Sequence, residues 1–105
     1  MFLLSFFDMK QLNISLVIQN LDLTFIKIFY ENNDLCFVND IKEYKDFLTL
    51  KIMDIHDCLE PSENALKIWK YHILHTKRYL ADCDLIFGKT IFIDEKLLKN
   101  NTKLQ

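Results

Sequence analysis

Leu12-Asn13-Ile14-Ser15-Leu16-Val17-Ile18-Gln19 is the stretch on which the fold class turns. Leucine and isoleucine occupy every second position, and a period of two is the mark of a strand with one buried face. Leu23 to Tyr30 is apolar on both sides, with Phe25 and Phe29 on one and Ile26, Ile28 and Tyr30 on the other, which predicts an interior strand. Glu31-Asn32-Asn33-Asp34 supplies turn residues, and Leu35 to Val38 then returns as a short strand. The opening therefore reads as a β-meander.

Beyond the meander, Asn39 or Asp40 caps a short helical turn to about Asp46, and Phe47 to Ile55 alternates again. Pro61 and Ser62 mark the next boundary, because Ser62 can accept from free N–H groups and Glu63 suits the positive end of a helix dipole. A long helix is expected from Ser62 to about Ala81. Leu85 to Phe87 and Thr90 to Ile93 read as strands around Gly88-Lys89, and Glu95 to Lys99 as a short helix. The order β-β-β-α-β-α-β predicts an α+β domain spanning residues 1–105, with an antiparallel or mixed sheet of four to five strands under one amphipathic helix. Residues 1–8 and 101–105 are expected to fray or to be ordered by an oligomer, and Met9 is an alternative start.

Composition narrows the class of protein. Half of the residues are hydrophobic and 27% charged, so the chain can build one core and is not a disordered tail. No apolar run approaches the roughly 18 residues of a membrane helix. Gly88 is the one glycine and Pro61 the one proline, so a glycine-rich phosphate loop is excluded and turns must use Asn and Asp. The basic residues are twelve Lys and Arg78; with abundant Ile, Asn and Phe this is the codon bias of an AT-rich genome, such as that of a low-GC bacterium, a phage or mobile element, or a large DNA virus. Cys36, Cys58 and Cys83 are odd in number and widely spaced, which predicts reduced thiols and a cytoplasmic or host-intracellular location. The apolar start lacks the basic region and cleavage site of a signal peptide.

The net charge of −2 conceals an asymmetry. Residues 1–60 carry five Lys and ten acids, residues 61–105 eight Lys or Arg and five acids. The basic excess gathers on the long helix. At 100° per residue, Ala65, Leu66, Ile68, Trp69, His72, Ile73, Thr76, Tyr79, Leu80 and Cys83 form a broad apolar face with Trp69 as its anchor. Lys67, Lys70, Tyr71, Leu74, Lys77 and Arg78 form the opposite stripe, the expected partner-binding surface. An apolar residue ringed by charge resembles an interface centre with a polar rim, so Leu74 favours a protein partner over nucleic acid. The acidic group Asp34, Asp40, Glu43 and Asp46 is the alternative contact.

Sites for chemistry are thinner. His72 and His75 stand three apart, as two ligands on one helix would, with His56, Asp57 or Asp82 as a third; no H-E-x-x-H or C-x-x-C accompanies them. His72 falls in the centre of the apolar face, which reads as a buried histidine. His56-Asp57 matches only the dipeptide of HD-type phosphohydrolases, and Gly88-Lys89-Thr90 only the end of a phosphate loop. A small ribonuclease could draw on His75, Lys77, Arg78 and Tyr79 without a linear motif. The expectation is a non-enzymatic binding module without a cofactor that docks on a protein, as immunity proteins, antitoxins and inhibitors do. Nucleic-acid binding, or hydrolysis by the basic helix, is the second expectation; a homodimer paired through an exposed edge strand is a further one.

Overall fold

In the computed structural model, residues 6–54, 58–94 and Leu97 are described, with side chains from Leu12 onward. The order is α1 (Phe6–Gln19), a 3₁₀ helix (Thr24–Tyr30), α2 (Asp34–Lys51), α3 (Glu63–Leu74) and α4 (Thr76–Phe87). No strand occurs among the described residues: the described fold is all-helical, and the expected α+β sheet is not formed by them. The edge-strand route to a dimer goes with it. No single helix among these residues is long and apolar enough to cross a membrane.

Each misread strand has a helical pattern beneath it. In α1 the residues turned inward are Ile14, Val17 and Ile18, at i, i+3 and i+4, with Leu21 packed in just beyond its end, while Leu12 and Leu16 point out. Alternation and helical spacing both fit this window, and Val17, on the supposed polar side, is the residue that breaks the strand reading. In the 3₁₀ helix Leu23, Ile26 and Tyr30 are buried and Ile28 exposed, so the segment is two-sided rather than interior. The supposed strand 35–38, the helical turn and the strand from Phe47 are parts of one helix, α2, whose buried positions are Phe37, Asp40, Tyr44, Phe47 and Leu48. Two polar residues in that stripe, Asp40 and Tyr44, concealed its period. Leu85 to Phe87 ends α4, and 90–93 has no regular secondary structure. The expected helix 95–99 lies outside the described residues except for Leu97.

Capping explains the boundaries. Asn33, not Asn39 or Asp40, caps α2, its side chain accepting from the Cys36 N–H at 3.2 Å. Glu31 and Asn32, both at positive φ, turn the chain into it. Ser62 caps α3 as its sequence suggests, accepting from the Ala65 N–H at 3.1 Å while its hydroxyl donates to Glu43 of α2 at 2.8 Å. The C-terminus of α1 is closed by side chains from elsewhere: Lys45 donates to the carbonyls of Gln19 (2.8 Å) and Leu21 (3.0 Å), and Arg78 to that of Asp22 (3.2 Å). Gly88 ends α4 at φ 72°, its N–H donating to the Asp84 carbonyl. Lys89 and Thr90 thus follow the negative end of a helix, the reverse of a phosphate loop.

The expected helix 62–81 breaks at His75. There φ and ψ are −94° and 68°, and the His75 N–H reaches back only to the His72 carbonyl. Its ring Nδ1–H donates to the Tyr71 carbonyl at 3.0 Å, replacing the backbone donor that a continuing helix would supply. The Thr76 hydroxyl likewise donates to the Ile73 carbonyl. The break folds α4 back on α3. Trp69 then donates to the Tyr79 hydroxyl and His72 meets Asp82, contacts between residues ten apart that lie about 15 Å from each other along a straight helix.

Asn33→Ala should lower the unfolding free energy by about 1 kcal/mol, whereas Asn39→Ala, on the exposed side of α2, should change it by less than about 0.5 kcal/mol. Urea denaturation of the two variants checks the order, and equal effects would displace the cap.

Candidate docking surface

His72 and His75 are built into the fold. His72 is 1% exposed and lies between three helices: its Nδ1 is 2.8 Å from the Tyr44 hydroxyl of α2, its Nε2 2.8 Å from Asp82 of α4. Burial holds the Tyr44 hydroxyl well above its usual pKa, so its proton goes to Nδ1 and the imidazole's own proton, on Nε2, goes to Asp82. Burial also pulls the His72 imidazole below its ordinary value of 6.5, with the Asp82 hydrogen bond acting the other way. Both ring nitrogens are engaged, as those of a ligand or general base open to solvent are not. His75 spends Nδ1 on the helix break and packs edge-on against Phe25, ring centroids 4.5 Å apart.

The conceivable ligand set of His72, His75 and a third residue is not assembled among the described residues: Asp82 reaches His72 but His75 faces another way, and these residues hold no cluster of three His, Cys, Asp or Glu suited to a metal. His56 and Asp57 lie outside them. The ribonuclease set is dispersed too. Tyr79 is buried, accepting from Trp69 and donating to the Ile91 carbonyl, and Arg78 is held on the Asp22 carbonyl and over the Phe25 ring.

Two members of the acidic group, Asp40 and Glu43, are tied into the fold, while Asp34 and Asp46 stay exposed in surface ion pairs. Asp40 is buried, accepts from the Tyr30 hydroxyl at 2.5 Å and pairs with Lys67 at 3.3 Å. Glu43 binds Ser62 and Asn64, and the Asn64 and Ser62 hydrogen bonds lower its pKa. Asp34 and Asp46 pair with Lys27 and Lys42. A concavity of about 850 Å³ lies where α4 ends, lined by Ile14, Ile52, Ile86 and Phe92 among others; its Lys51 and Asp54 are paired with each other.

The basic stripe divides. Lys67 and Arg78 are struts, the first over the Tyr30 ring (4.8 Å) as well as against Asp40, the second closing α1. Lys70 and Lys77 have no ion pair among the described residues and flank Leu74, which is 70% exposed. Tyr71, one turn before Leu74, stacks on Phe29 of the 3₁₀ helix with ring centroids 4.2 Å apart and planes at 4°. Phe29 is 43% exposed and its neighbour Ile28 79%. Four apolar or aromatic side chains from two elements thus make one outward edge with a lysine at either end. Sequence reading missed Phe29 and Ile28 because it placed them inside a sheet; only the tertiary stack brings them to Tyr71.

Comparison with protein-family models, with curated proteins and with solved structures gives no match.

A neutral buried histidine makes stability pH-dependent in a definite sense. The folded value is lowered, so the unfolded chain binds the proton more readily once pH falls below 6.5, and stability is lost from there downward until His72 is protonated in the folded state. The loss from this group is at most about 1.4 kcal/mol per pH unit. Urea midpoints between pH 7.5 and pH 5 should fall more for the wild type than for His72→Gln; parallel curves would contradict the assignment.

Proposed function

We propose that the protein is a non-enzymatic docking module that binds another protein through the edge formed by Ile28, Phe29, Tyr71 and Leu74, with Lys70 and Lys77 as its rim. The observation that carries this reading is the stacked Phe29–Tyr71 pair beside the exposed Leu74, an apolar centre in a surface otherwise dressed with charge. Such side chains supply contact area at low entropic cost, and two flanking ammonium groups favour a partner whose apolar residue is bordered by carboxylates. A groove of about 450 Å³ along α3, lined by Leu66, Lys67, Lys70 and Tyr71 among others, extends the edge. Immunity proteins, antitoxins and inhibitors work by docking of this kind.

The charge distribution argues against nucleic acid. With Lys67 paired to Asp40, three cations of the stripe, Lys70, Lys77 and Arg78, remain to meet phosphates, so a duplex contact here would show a log–log salt slope of only about −3. Among the described residues no arrangement of nucleophile, base and oxyanion donors supports a catalytic reading.

Affinity capture with wild type and with two variants, Leu74→Asp and Lys70→Glu/Lys77→Glu, tests the reading. A protein retained by the wild type in the presence of nuclease should be lost or weakened at least ~10-fold by each variant, with melting temperatures unchanged because these side chains are outside the core. Retention indifferent to both variants, or lost on nuclease treatment, would overturn it.

A further inference from the structure

The turn between α3 and α4 is made by one residue. Leu74 ends one helix and Thr76 begins the next, where helical hairpins ordinarily spend about two to five residues on the connection. No glycine or proline occurs from Ser62 to Phe87, and the apolar face keeps one helical period from Ala65 to Cys83. A helix running through His75 would bond the N–H groups of residues 75–78 to the carbonyls of residues 71–74. In the broken form the His75 N–H reaches the His72 carbonyl, the side chains of His75 and Thr76 take the carbonyls of Tyr71 and Ile73, and α4 starts without a side-chain cap. The packing of α4 on the rest of the chain offsets this loss: Tyr79, Cys83 and Ile86 are buried, Tyr79 accepts from Trp69, Asp82 accepts from His72, and Arg78 donates to the Asp22 carbonyl.

None of these contacts requires that α4 belong to the same copy of the chain. We infer that α4 exchanges between two copies, His75 straightening so that residues 63–87 form one helix whose second half docks on the other copy. Each copy then receives Asp82 against its His72 and Tyr79 against its Trp69 from the other. The closed monomer and the exchanged dimer share the same packing, so they differ at the hinge and in the entropy of association. Straightening restores the backbone ladder across residues 71–78, which favours exchange, while the His75 ring on the Tyr71 carbonyl and against Phe25 favours the closed monomer. A short connection between two elements that would otherwise be continuous is the setting in which exchange competes with closure. Because α4 uncovers Tyr79, Cys83 and Ile86 as it leaves, each form persists once made, and the dimer is reached by refolding at high concentration.

Wild type refolded from urea at millimolar concentration and then diluted should contain a species of twice 12.6 kDa by light scattering, beside the monomer. Thr76→Pro, at the exposed first position of α4 where proline is tolerated, bars a continuous helix and should lower the dimer-to-monomer constant at least ~100-fold with the far-ultraviolet circular dichroism retained. His75→Ala removes the ring that closes the break and favours the helix, and with two hinges per dimer it should raise the constant ~10-fold. In a dimer formed from labelled and unlabelled copies, the Trp69 indole N–H should show cross-relaxation to Tyr79 of the other copy, a contact that dimers joined through their surfaces keep within one chain. A wild type that stays monomeric, a dimer in which Trp69 meets the Tyr79 of its own chain, or a dimer indifferent to Thr76→Pro would overturn the inference.

Discussion

The fold depends on the two hydrogen bonds made by His72. Tyr44 on α2 and Asp82 on α4 approach the same imidazole from opposite edges, and α3 carries that imidazole between them. Asp82 can be there only because the chain breaks at His75 and α4 returns along α3. The break in turn is stabilised by the His75 ring on the Tyr71 carbonyl and by Phe25 against that ring. Arg78, carried round by the same turn, closes the C-terminal end of α1. A buried polar group left without its partner costs about 1–3 kcal/mol, so removing either neighbour of His72 affects three helices together.

Internal demand for polar partners also shapes the surface. Asp40, Glu43, Lys45, Lys67 and Arg78 all face other parts of the same chain, as side chains that close helix ends or neutralise one another. The apparent division of the sequence into an acidic and a basic half is therefore largely resolved within the molecule. What remains outside is an apolar edge with two lysines.

Local chemistry was legible in the sequence where it is local. The Ser62 cap, the turn at Glu31-Asn32, the core positions of Trp69 and Cys83 and the burial of His72 all follow from residue type and spacing, and the structure shows them. The helical character of the first half was not legible. In Leu12–Gln19 two periods coincide, and in α2 the stripe runs through Asp40 and Tyr44, whose burial is tolerable only because Tyr30, Lys67 and His72 are waiting on other elements. The break at His75 had no glycine or proline to announce it; it is made by a side chain that substitutes for a backbone donor. Of the candidate stripe, Leu74 and Lys77 are exposed and Lys70 partly so, but the break at His75 puts Lys77 on a different helix from Leu74, and the roles of Lys67 and Arg78 depend on residues 27 and 56 positions earlier in the chain.

The most direct measurement of the central claim is the tautomer of His72, read from long-range proton–nitrogen correlations of its imidazole. The account requires a neutral ring with the proton on Nε2, given to Asp82, and a bare Nδ1 that accepts from Tyr44, persisting below pH 6.5. A proton on Nδ1, or a ring that titrates freely at its ordinary value, would show that the two hydrogen bonds do not join the helices as described.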